Sequence, residues 1–221
     1  MRRALLPIAC LLLGCSSSVS APRVEPTVDD MLRNVALDGV HNVRDLGGLR
    51  GSRGVTLDID LRTSFETDWK GDRLAHDARF SYRHISLLGV GFEDLFRSGG
   101  LRGLYLHALG AHRDGFRAVF RAMATHEGGA VLYHCSSGKD RTGMVTAILL
   151  DLAGVSRDTI VRDYAISAGY DDYTQSASPP EAIRAFLDAL DGDYGGARAY
   201  LARIGLSKEE IRSLLAKLGQ A

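Results

Sequence analysis

The sequence predicts an α/β fold: a central, mainly parallel sheet flanked by helices, ending in a helical C-terminal third. Segments with strand character alternate with helical ones, which is the pattern of a parallel sheet covered by helices. "VTLDIDL" alternates apolar Val55, Leu57, Ile59 and Leu61, the period-two signature of a strand. "AVLY" at 130–133 is a short unbroken apolar run, as expected of a strand buried on both faces.

The remaining elements follow in chain order. "RFSYRHISL", near 79–87, reads as another strand. Residues 111–126 read as a helix, with Phe116, Val119, Phe120 and Met123 at three- and four-residue spacing. "TGMVTAILLDLAG" is an almost wholly apolar helix closed by Gly154. Ser156 fits the N-cap of a helix over "RDTIVRDYAIS". "SPPE" at 178–181 and "SKEE" at 207–210 have capping-box spacing, the first with Pro in the opening turn.

Composition bounds the class. The chain has 221 residues, 45% hydrophobic and 24% charged, with zero formal net charge. That suits one globular domain and gives no basic excess for nucleic acid. Residues 31–221 read as that domain. Ahead of it, "SSSVSAPRVEPTVDD" makes 15–30 a flexible tether, beginning at Cys15.

Residues 1–14 read as a removable export signal. Arg2 and Arg3 precede an apolar run from Ala4 to Leu13, too short to span a bilayer. The end "LLGCSSS" resembles a bacterial lipobox, which implies cleavage before Cys15 and lipidation of that cysteine. The segment holds two arginines and no acid, so its loss leaves 25 basic residues against 27 acidic ones. Lipid, not charge, is then the expected membrane anchor. Of the three cysteines, Cys10 leaves with the signal and Cys15 carries lipid. Cys135 remains as a lone thiol in an exported protein, where cysteines usually pair. It is either a small buried hydrophobe or a reactive group.

Its setting favours reactivity. Cys135 follows a buried strand and precedes a helix, and ligands of open α/β sheets bind at the carboxyl ends of strands. A helix N-terminus there stabilises anions, the thiolate included. Between Cys135 and Arg141 lie five residues, Ser136, Ser137, Gly138, Lys139 and Asp140. A loop of that length can turn its N–H groups inward as an anion nest, with Gly138 allowing the tight path. Arg141 can close the nest with a planar fork.

The full string "HCSSGKDRTG" resembles the phosphate-binding loop of Cys-dependent protein tyrosine and dual-specificity phosphatases, in the bacterial branch that carries GKDRT. "HNVRDLGG" at 41–48, "DIDLRTSFE" at 58–66, "GVSRDTIVRDYAIS" at 154–167 and the helical 199–219 resemble further segments of that family. The resemblance implies a phosphotyrosine-phosphatase-like fold and hydrolysis of a phosphate monoester through a phosphocysteine. Cys135 is the implied nucleophile and Arg141 the phosphate ligand, with residues 136–140 supplying backbone donors. His134 orders the loop. Thr142 either donates to the thiolate or opens the helix.

The implied general acid is open. Most relatives bring an Asp from a separate upstream loop, but the corresponding stretch, Leu101 to Leu106, holds no acid. Asp140 itself takes the role in the GKDRT branch and is preferred over Asp94, with Asp114 as a further option. Lys139 meets an additional phosphate, or is a solvated lysine or a partner for Asp140. No cofactor is implied. No metal is expected, since His41, His76, His84, His107, His112 and His126 show no ligand spacing. The expected partner is a phosphorylated protein or small phosphorylated molecule. Alternatives are a phosphoinositide or inositol-phosphate phosphatase, or an inactive module that binds phospho-ligands. The sequence specifies no oligomeric state.

Overall fold

Three short strands carry the site. The computed structural model describes residues 54–72, 74–89, 97–167 and 179–219, and the backbone alone of 11–13, 44–45 and 92–96. The strands are β3 (Val55–Asp60), β4 (Ser81–His84) and β5 (Ala130–His134), following β1 (Leu11–Leu13) and β2 (Arg44–Asp45) in the chain. The sheet order is β2-β1-β5-β3-β4. β3 lies parallel to both β4 and β5, while β1 pairs antiparallel to β5 and parallel to β2. Cleavage before Cys15 would remove β1, and β5 would keep β3 as its neighbour. Cys15, the tether, His41, most of 41–48 and Ser178 lie outside the described residues.

Helices flank the sheet: α1 (Ser64–Trp69), α2 (Phe92–Ala111), α3 (Arg113–Thr125), α4 (Asp140–Leu152), α5 (Arg157–Ile166), α6 (Pro180–Tyr194), α7 (Ala197–Arg203) and α8 (Lys208–Lys217). α4 buries ten of its thirteen residues, so it runs through the middle of the core, as its nearly uniform apolarity requires. Leu57, Ile59 and Tyr133 of the sheet pack in one cluster with Met144, Ile148, Phe116, Phe120 and Phe186.

The expected caps are present at Ser156, which accepts from Thr159, and at Ser207, which forms a reciprocal box with Glu210. α6 begins one residue later than the "SPPE" box would place it, with Pro179 at the N-cap and Pro180 in the first turn. α2 was not expected from the sequence. Gly99 and Gly100 interrupt its pattern, and Gly100 breaks the helix at φ 59°, ψ −166°.

β3 alternates polar and apolar residues, yet positions 57–60 are all buried. Its polar positions, Asp58 and Asp60, are as buried as its apolar ones. They face a layer of charge beneath the carboxyl ends of the strands. Asp60 holds Arg62 in a fork: Arg62 Nε donates to Oδ1 at 2.9 Å and Nη2 to Oδ2 at 2.6 Å. Tyr82 donates to the same carboxylate at 3.0 Å. His134 Nε2 lies 3.2 Å from Asp72 Oδ2 and 3.4 Å from Asp58 Oδ1. No oxygen of Asp58 has a directed hydrogen bond among the described residues, so that pairing is ionic.

Burial opposes charge on His134, but Asp58 and Asp72 outweigh it and lift its pKa to about 10. Burial likewise pushes Asp58 above the usual carboxylate range, against the pull of His134. The folded pKa of His134 thus exceeds the ordinary value of about 6.5 for the unfolded chain. Its stabilisation is complete below pH 6.5 and is lost as pH rises toward 10. Over that window, wild type should lose stability faster than His134→Gln by up to about 1.4 kcal/mol per pH unit. Denaturant unfolding of both at pH 6 to 10 measures this, and parallel stability curves would refute it.

Candidate active site

β3 and β5 end side by side, with Asp60 in register with His134. The chain leaving β3 becomes α1, and the chain leaving β5 becomes the loop from Cys135 to Lys139. Neighbouring strand ends therefore bring α1 against the loop.

Cys135 is buried at the start of this loop. Thr142, in the first turn of α4, donates its hydroxyl to Cys135 Sγ at 3.3 Å. Thr142 thus stands in the opening turn of the helix and also meets the thiol, so the two readings of this residue coexist. His134 Nδ1 lies 3.3 Å from the Cys135 carbonyl oxygen, so the imidazole braces the loop as well as the charged layer. Gly138 adopts φ 61°, the left-handed conformation that a side chain would strain. Ser136 and Ser137 are partly exposed, while Gly138 and Lys139 are buried. α4 begins at Asp140, with Lys139 at its N-cap. The thiol, the loop and the helix N-terminus thus meet at one point, which disposes the site toward an anion.

Arg141 is fixed by a residue that sequence reasoning quoted but did not assign, Glu66. Arg141 Nη1 donates to Glu66 Oε2 at 2.6 Å and Nη2 to Oε1 at 2.7 Å. Ser136 Oγ also donates to Glu66 Oε1. Burial disfavours the Glu66 charge, but Arg141 and Ser136 outweigh it and hold the carboxyl far below its ordinary range. The guanidinium carries five N–H donors, of which Glu66 takes two on its outer edge. Among the described residues its Nε edge meets no acceptor, and such an edge can take an oxyanion.

Glu66 is itself held by a capping box. Thr63 N and Thr63 Oγ1 donate to Oε2 at 2.7 and 2.9 Å, and Glu66 N donates to Thr63 Oγ1. The far end of α1 is tied by Arg62 Nη1, which donates to the Lys70 carbonyl at 2.7 Å. The box spacing, Thr-x-x-Glu at 63–66, was a readable signal for α1. The pairing with Arg141, 75 positions away, had no local signal.

The candidate acids fall in three places. Asp140 Oδ1 accepts from the buried Tyr105 hydroxyl at 2.6 Å, and Oδ2 lies 3.9 Å from Lys139 Nζ. The Asp140 side chain is 27% exposed. Asp94 lies on α2, with its side chain outside the described residues. Asp114 forms a surface salt bridge with Arg117 at 2.9 Å, which takes it away from the loop. The Lys139 side chain is only 5% exposed, so its ammonium faces protein and not the solvent above the loop.

Asp58, Asp72 and His134 bring ligand-type atoms within 4.8 Å of one another. Asp58 and Asp72 raise the His134 pKa, which favours an imidazolium between the two carboxylates. No described helix is long and apolar enough to cross a membrane.

The pattern of the tyrosine phosphatase family matches residues 49–220. A tyrosine-protein phosphatase of Nostoc commune is 41% identical over 198 residues, spanning 76% of this chain and 67% of that protein. A Cupriavidus necator protein bearing a tyrosine-protein phosphatase name is 27% identical over 192 residues, 68% of this chain and 70% of that one. The triple specificity protein phosphatase PtpB of Mycobacterium tuberculosis is 49% identical over 49 residues, 22% of this chain and 18% of that one. With the family pattern covering most of its length and a loop built around Cys135 and Arg141, the chain belongs to the tyrosine phosphatase family.

Proposed function

We propose that the protein hydrolyses phosphotyrosine through a phosphocysteine, and that it does so as an exported, lipid-anchored enzyme. The observation that carries the reading is the buried Cys135 thiol at a helix-capped loop whose arginine is already gripped by Glu66. Substrate phosphate binds in the loop, against backbone N–H groups and the Nε edge of Arg141. Cys135 attacks phosphorus as the thiolate, its proton already lost to solvent, the S–P bond forms and the P–O bond to the leaving group breaks. Asp140 gives its proton to that oxygen. Water then attacks phosphorus, its proton passes to Asp140, the S–P bond breaks and phosphate leaves. Thr142 supports the departing thiolate in this second step.

Lys139 weighs on substrate choice. Buried beside Asp140, it offers no exposed ammonium for a second phosphate. This supports a simple phosphomonoester over a phosphoinositide.

The first test is chemical. Cys135→Ser should abolish turnover of a phosphotyrosine peptide while still binding vanadate, because the loop donors and Arg141 remain. Wild type should act without added metal and in EDTA, and should prefer phosphotyrosine to phosphothreonine and phosphoinositide. Substantial turnover by Cys135→Ser, or loss on chelation restored by a divalent ion, would sink the mechanism.

A second test addresses Arg141. Glu66→Gln keeps a capping side chain but removes the charge that fixes the guanidinium. Misplacing a reacting group costs up to about a hundred-fold, so kcat/KM should fall about ten- to a hundred-fold with the melting temperature near wild type. An unchanged kcat/KM would release Glu66 from this role.

Export rests on the segment 1–15 alone. Mass spectrometry of membrane-extracted protein from the native host should find an N-terminal, acylated Cys15. An intact Met1 or an unmodified Cys15 would count against it.

A further inference from the structure

A carboxylic acid can lose its proton from either oxygen, and a proton donor is effective only when the right oxygen faces the leaving group. Tyr105 bears on that choice. It projects from α2, is fully buried, and donates to Asp140 Oδ1 at 2.6 Å. Its hydroxyl also lies 2.7 Å from the hydroxyl of Tyr164, on α5. Edge-on contacts hold its ring against Tyr164 and Phe186, each with centroids 6.2 Å apart.

Tyr164 is in turn fitted to the loop helix. A Cβ on Gly143 would stand 2.9 Å from the Tyr164 ring, so only glycine allows α5 to approach this closely. The last residue of the "GKDRTG" string thereby lets the tyrosine pair reach the Asp of the same string. Packing alone does not require two phenols here. Phenylalanine would fill nearly the same volume without the cost of burying a hydroxyl. Burial, then the neighbouring Asp140 charge, raises the Tyr105 pKa well above its ordinary value, so Tyr105 remains a donor at any working pH.

We infer that Tyr105 is a positioning residue for proton transfer: its hydroxyl claims Asp140 Oδ1, so that Oδ2, which lies 3.9 Å from the Lys139 ammonium, is the oxygen that protonates the leaving group. The inference rests on Asp140 being the proton donor. Tyr105 has one proton, committed to Oδ1, so its oxygen accepts from Tyr164. The bond to Oδ1 persists through the reaction. When the Oδ2–H bond breaks and the leaving oxygen takes the proton, the electron pair stays on the carboxylate. Tyr105 then donates to a full negative charge, and such hydrogen bonds are the stronger kind.

The test is leaving-group dependence. kcat/KM, which reports P–O cleavage and not the later hydrolysis of the phosphocysteine, is measured on p-nitrophenyl phosphate, phenyl phosphate and phosphotyrosine for wild type, Tyr105→Phe, Asp140→Asn and the double variant. Asp140→Asn should lose about a hundred-fold or more on the two basic leaving groups and far less on p-nitrophenyl phosphate. Tyr105→Phe should lose about ten-fold in the same pattern, the worth of one hydrogen bond to a charged group. The double variant should be no slower than Asp140→Asn alone.

A uniform Tyr105→Phe loss across all three substrates, or a loss that persists in the Asp140→Asn background, would overturn the inference while leaving Asp140 as donor. A uniform Asp140→Asn loss would remove Asp140 from that role and the inference with it. If Tyr105→Phe fails to fold, Tyr164→Phe carries the test, because it keeps the bond to Asp140 but frees the Tyr105 hydroxyl. It should show a smaller loss with the same leaving-group pattern, and a uniform loss would overturn the inference.

Discussion

A guanidinium is useful to an oxyanion only if its free edge points at the anion, and in this protein that aim depends on Glu66. The two hydrogen bonds from Arg141 fix the plane of the fork, and Ser136 draws the start of the loop toward the same carboxylate. A second chain of constraint stands behind Glu66. Thr63 caps it, Arg62 ties the other end of its helix, and Asp60 on β3 holds Arg62. The Cys135–Arg141 loop after β5 is thus braced from β3, its neighbour in the sheet, at the strand ends where the chain leaves the core.

The charged layer under the loop adds to that rigidity at a cost. Asp58, Asp60, Arg62, Asp72 and His134 are withdrawn from water, and buried ions are expensive unless matched. Removing one partner strands the others, so the layer acts as a unit. Through the His134 contact with the Cys135 carbonyl, the geometry at the thiol depends on charges that lie beneath the loop. The rigidity comes from electrostatic matching as much as from apolar packing.

Local signals were legible in the sequence, and long-range ones were not. The loop could be read because its ten residues carry their own chemistry in one string. The three parallel strands and most of the helices could be read from periodicity and caps. Asp58 and Asp60 could not be placed correctly, because alternation with apolar residues normally marks a solvated face. Here that face meets His134 and Arg62, which come from elsewhere in the chain. The partnership of Glu66 with Arg141 spans 75 positions, and that of Tyr105 with Asp140 spans 35. Both are set by which strand ends and helices become neighbours, which no local pattern encodes. α2 escaped because two glycines in its middle break the periodicity that would have revealed it.

The sequence contains a single tryptophan, Trp69, and the fold sets it on the same short helix as Glu66. The indole is 78% exposed, so its emission reports solvent and any group that comes to rest against it. Light absorbed by this one ring therefore reports the surroundings of α1 without interference from a second indole. The protein carries a native optical probe one helical turn from the residue that aims its arginine.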